Sequence, residues 1–201
     1  MKASVLDRIL LLLTGLLAAW QVAVGVNGVE ALPMVAYTVA FGVLLVACLL
    51  LIILGLDVLD SPIVVIISTI IPLSLSLGLV WEHLSQLRVA YLVFSLLGFL
   101  AIIITRVTHI KNKLPVIVLA VIHGIAGLTI FFLPILWAFS GRSSYEFALV
   151  GVGGALIGIG GLLLSFLKAG KPLLSRRTIL KVLPGLLFLM TAAFIAGFSL
   201  S

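Results

Sequence analysis

The 201 residues predict an all-α fold: a polytopic transmembrane helical bundle of about seven spans in one domain, with the N-terminus cytoplasmic and the C-terminus outside. Three observations carry this. Hydrophobic residues make up 64% of the chain and charged ones 9%, against roughly 45–50% and 25% in soluble domains, so no water-facing surface can be built from it. Cutting the sequence at charges and turn residues leaves seven apolar runs, each within the ~17–25 residues that cross a bilayer. Lysine and arginine are also unequally divided between alternate loops.

The runs are 9–26, 33–56, 61–80, 89–105, 114–138, 147–167 and 182–200. The first follows a charged start, MKASVLDR, and a passable small-residue cleavage site ends at Gly25; its 18 uncharged residues are nonetheless long enough to span, so it is read as a retained helix. Pro33 and Pro115 stand at the starts of the second and fifth runs, where a helix has no acceptor for the missing N–H. The third run carries Pro62, Pro72 and several hydroxyls, but its twelve Ile, Val and Leu favour insertion by of order 4–7 kcal/mol. With seven spans and the N-terminus inside, Lys2, Arg8, Arg106, Lys111, Lys113, Lys168, Lys171, Arg176, Arg177 and Lys181 face the cytoplasm, whereas only Arg88 and Arg142 face outward. Dropping the third span weakens this asymmetry.

The net charge of +6 on so apolar a chain points to anionic lipid head groups and away from nucleic acid. The cluster Lys168, Lys171, Arg176, Arg177 and Lys181, interleaved with Leu173, Leu174, Ile179 and Leu180, is expected at the head-group boundary as a lipid-facing basic rim. The lone Cys48 excludes an internal disulfide.

Close packing is expected along the sixth span, where Gly151, Gly154, Ala155 and Gly158 form a small-residue face with a GxxxG spacing. His123 falls nine residues into the fifth span, about 13 Å deep at helical rise, where an ionisable group is costly. It reads either as a relay or ligand-binding histidine or as a neutral imidazole bonded within the bundle. Ser68, Pro72 and Ser76 repeat at helical spacing in the third span, and with His123 they form the candidate intramembrane polar site. The bland alternative is a proline kink satisfied by its own serines.

No cofactor or metal site is expected. His83, His109 and His123 lie at three different depths, which does not suit a two-histidine haem, and Lys181 is too near a rim for a retinal Schiff base. Asp57 and Asp60 share one hairpin and read as rim groups. Glu30, Trp81, Glu82, His83, Tyr145 and Glu146 read as interfacial anchors on the opposite rim. Since neither a nucleophile elbow, an HExxH motif nor a phosphate loop occurs, no catalytic residues are assigned. A 3 + 1 + 3 repeat is weakly supported, because Pro72 lies about eleven residues into the third span and Pro184 only two or three into the seventh. The resulting expectation is a non-enzymatic multi-pass protein of the cell membrane (plasma or bacterial inner). It would act as a subunit or assembly partner of a larger complex, with self-association or other membrane subunits as partners. The alternative is a small transporter or channel with a polar pathway between the third and fifth spans.

Overall fold

The computed structural model describes residues 4–108, 113–168 and 173–200, apart from the side chains of Asp60, Ser165, Phe166 and Lys168. The chain is helical, with no strands among these residues: α1 (Val5–Val24), α2 (Ala31–Leu54), α3 (Pro62–His83), α4 (Arg88–Val107), α5 (Leu114–Phe139), α6 (Ala148–Lys168) and α7 (Arg176–Leu200). All seven helices are long and apolar enough to cross a membrane. The rim where α1 starts is called here the N-terminal rim, and the opposite one the far rim.

Local chemistry sets the helix ends. At α1 the Ser4 hydroxyl accepts from the Asp7 N–H at 3.2 Å while the Asp7 carboxylate accepts from the Ser4 N–H at 2.8 Å. This capping box starts the helix four residues before the expected span and carries Asp7 and Arg8 into it. Gly25 and Gly55, at φ 74° and 82°, end α1 and α2 in the left-handed region that only glycine adopts cheaply. The basic residues were expected to delay α7 until 182, but it begins at Arg176 because the Ser175 hydroxyl caps the Thr178 N–H at 3.1 Å. Pro184 is consequently the ninth residue of α7, close to the position of Pro72, which is the eleventh residue of α3. The misalignment that spoke against a repeat shrinks to two residues.

Helix neighbours form a closed ring in the order α1, α2, α3, α5, α6, α7 and back to α1, while α4 packs outside it against α3 and α5. The neighbour order is unchanged when α1, α2 and α3 are exchanged with α5, α6 and α7: α1–α2 corresponds to α5–α6, α2–α3 to α6–α7, and the α3–α5 junction to the α7–α1 junction. Two three-helix units thus face each other, and α4 links them from outside. The ring is filled. Tyr37 and Phe41 of α2 meet Phe198 of α7, with ring centroids 4.7 and 6.4 Å apart, and Leu75, Leu79, Ile130 and Phe194 complete the packing. A second, smaller cluster of Leu73, Ile102, Ile122 and Ala126 fills the space between α3, α4 and α5.

Lipid is as apolar as a leucine core, so helix association here depends on close contact rather than on burial from water. Small residues supply it. A Cβ on Gly154 would lie 2.8 Å from Ile130 and 3.0 Å from its backbone carbon, one on Gly151 would lie 2.7 Å from the Phe131 carbonyl oxygen, and one on Gly153 would lie 2.5 Å from the Phe194 ring. The glycine face of α6 is therefore used within the chain, against α5 and α7.

Candidate functional site

The residues expected to form an intramembrane polar site do not converge. Ser68 is exposed on the bundle surface, and its hydroxyl donates to the Val65 carbonyl at 3.1 Å. Pro72 and Ser76 are buried, and the Ser76 hydroxyl donates to the carbonyls of Pro72 at 2.7 Å and Leu73 at 3.1 Å. Instead of His123, Ser76 faces the Tyr91 hydroxyl of α4, which also bonds the Thr129 hydroxyl of α5 at 3.3 Å. Thr129 in turn donates to its own helix, to Ile125 O at 2.8 Å. This polar knot pins α4 to the ring, and Tyr91 and Thr129 were missed because neither stands out in an apolar sequence.

His123 lies nearer the N-terminal rim, half-buried, with its imidazole beside the Leu119 backbone of its own helix and on the side of the Arg106 charge. The α3–α5 contact between it and Ser76 is filled by the apolar cluster around Leu73 and Ile122. A continuous path between these residues has no room.

Gly151, Gly153 and Gly154 are buried in helix contacts, and Ala155 is half-buried. Gly158 departs from the expected packed face, since no neighbouring helix lies within 4 Å of a Cβ placed there, and the same holds for Gly161. The approach between α5 and α6 is closest near the far rim and ends before Gly158. On the N-terminal rim, Arg176, Arg177 and Lys181 are exposed, as are Leu173 and Leu174. Ile179 and Leu180 are packed inside the bundle, at 1% and 3% exposure, so they do not share the lipid-facing role expected of them. His109 and Lys171 lie outside the described residues, as does the side chain of Lys168.

A cavity lined by apolar and polar groups lies elsewhere, at the far rim. It measures about 180 Å³, opens to the surface, and is lined by residues of both three-helix units: Asn27 and the neighbouring α1–α2 loop, Tyr37 from α2, Glu82 and His83 from the end of α3, Ser143 and Phe147 before α6, and Phe198 from α7. The Tyr37–Phe198 pair lies in its lining, above the filled ring interior. The His83 ring meets Phe147 edge-on at 5.0 Å and Trp137 at 6.0 Å, which fixes the imidazole in the wall. One Glu82 oxygen, Oε2, is buried and accepts no hydrogen bond. An acceptor in that condition costs free energy unless something supplies a donor.

Beside the cavity, Glu30 ties three helices together. Its carboxylate accepts from the Trp81 indole at 3.0 Å and from the Arg88 guanidinium at 2.8 Å, and Arg88 also lies 5.5 Å from the Trp81 ring centroid. The indole and guanidinium donors hold the Glu30 carboxyl below its ordinary range. A separate apolar groove of about 320 Å³, lined by Val5, Arg8, Ile9, Leu12 and Ile52, lies where α1 and α2 reach the N-terminal rim.

These features define a bundle of seven helices, each long and apolar enough to cross a membrane, with a rim pocket between its two halves. The chain matches no protein-family model, no curated protein and no solved structure.

Proposed function

We propose that the chain is a small, non-enzymatic secondary transporter of the cell membrane (plasma or bacterial inner), in which the two three-helix units move against each other around a solute site. The single observation that carries this reading is the Glu82 pocket, lined from both α1–α3 and α5–α7 where the two halves of the ring meet. Parallel repeats with a linking helix are a plan by which transporters generate alternating access, because each unit is a rigid body and the solute sits between them. The pathway thus moves from the α3–α5 contact to the centre of the ring. Taken with the charge division, the N-terminal rim is cytoplasmic and the pocket opens outward. Anionic lipid at the exposed Arg176, Arg177 and Lys181 would hold that rim in place.

Cys48 provides the test. It is fully buried on the same stripe of α2 as Tyr37 and Phe41, nearer the N-terminal rim, and a Cβ on Gly15 of α1 would lie 3.7 Å from its Cβ. Alternating access predicts slow but complete labelling of Cys48 by N-ethylmaleimide in native membranes. Labelling only after denaturation would mean a static bundle.

A second reading, a subunit or assembly partner of a membrane complex, has one observation in its favour. Gly158 and Gly161 leave a small-residue surface around the middle of α6 open to another helix. Crosslinking in native membranes with Gly158→Leu as the comparison tests it.

A further inference from the structure

We propose that the far-rim pocket is a site for a small organic ammonium ion, with Glu82 accepting its N–H groups and the rings of Tyr37, Phe147 and Phe198 lining its alkyl portion. The proposal rests on the transport reading above and names the class of solute.

Glu82 is the one acidic residue in the lining, and no lysine or arginine accompanies it. Its buried Oε2 has no protein donor and is an acceptor that an N–H group would satisfy. The cations nearby are engaged elsewhere. Arg88 pairs with Glu30 at 2.8 Å, and the Arg142 guanidinium stacks 4.9 Å from the Trp137 ring centroid, on a residue that does not line the pocket. The wider field has the same sign, because all three glutamates of the chain, Glu30, Glu82 and Glu146, belong to this rim, against Arg88 and Arg142. A cation is therefore drawn to the pocket and an anion repelled.

The shape narrows the class. At about 180 Å³ the cavity lies below the roughly 300–1,000 Å³ of drug-sized pockets, so the solute has few heavy atoms. Aromatic faces attract an ammonium through their quadrupole and shield its alkyl groups from water. A bare divalent metal fits less well: its oxygen and nitrogen ligands must come as a set, and the described residues hold no group of three His, Cys, Asp or Glu side chains.

The experiment uses the full chain in detergent micelles, with tryptophan fluorescence as readout, since Trp137 packs against the His83 wall. Ethylammonium, ethanol and acetate are titrated in turn. The expected result is a saturable change with ethylammonium alone, lost in Glu82→Gln and retained, more weakly, in Glu82→Asp. Glu146→Gln, on the same rim but outside the pocket, should respond like the wild type, and size-exclusion profiles establish that each variant folds. An equal response to ethanol or acetate, or an undiminished response in Glu82→Gln, overturns the ammonium assignment and leaves a solute pocket standing. Silence from all three probes also overturns it, and whether the units move is then read separately from Cys48 labelling.

Discussion

Arg176 Nη2 lies 3.1 Å from Asp57 Oδ1, joining the start of α7 to the turn between α2 and α3 across the N-terminal rim. This ion pair connects the two three-helix units on the side opposite the pocket. In the transport reading it holds the N-terminal rim shut while the far rim is open.

Asp57→Asn and Arg176→Gln should therefore speed maleimide labelling of Cys48. Both partners are half-exposed, and exposed pairs shift equilibria by no more than about fivefold, so a several-fold acceleration is the upper range. The double substitution should fall short of the sum of the two single ones, the shortfall measuring the pair itself beside the other contacts of each side chain. Additive effects would mean that the two side chains act separately.

Sequence alone was sufficient for seven helices long and apolar enough to span, because an uncharged run of some twenty apolar residues has few other homes. Span ends shifted where a single hydroxyl decided them, as at Ser4 and Ser175. Which helix neighbours which was hidden, since a face turned to lipid and a face turned to Phe198 are equally apolar. The pocket was missed for a related reason: Glu82 and His83 look like interfacial anchors until α2 and α7 are brought beside them. The collection of every glutamate on one rim was the available signal.

Glycine substitutions should separate packed from open positions. Gly154→Ala and Gly153→Ala each force a Cβ against Ile130 or Phe194, which should cost about 1–3 kcal/mol in unfolding stability. Gly78→Ala, which meets the Tyr37 ring, should also disturb the pocket. Gly158→Leu should leave the thermal stability of the isolated chain unchanged. A loss comparable with that of Gly154→Ala would show that a helix contact is made there.

Acid sensitivity should trace to Glu30. Its carboxyl is held below the ordinary value of 4.5 by Trp81 and Arg88, so the stabilisation it gives is present above that value and is lost as pH falls through the lower folded one. The stability difference between wild type and Glu30→Gln should be seen at neutral pH and vanish in strong acid. A difference that persists unchanged in acid would assign it to shape alone.

The charge division predicts a cytoplasmic N-terminal rim, and fusions test it. A phosphatase joined to the C-terminus should be active outside the cytoplasmic membrane, and a cytoplasm-dependent fluorescent protein joined there should stay dark. The reverse pair of results would place the Glu82 pocket on the cytoplasmic side.

Relative motion of the two units is the core of the account, and spin labels at Asn27 and Ser143, which line the pocket from opposite units, measure it directly. With Cys48 replaced by serine, the distance distribution between these labels should contain two populations, and ethylammonium should shift their balance. A single narrow distance, unchanged by ethylammonium and by Glu82→Gln, would contradict a transporter built from two moving halves.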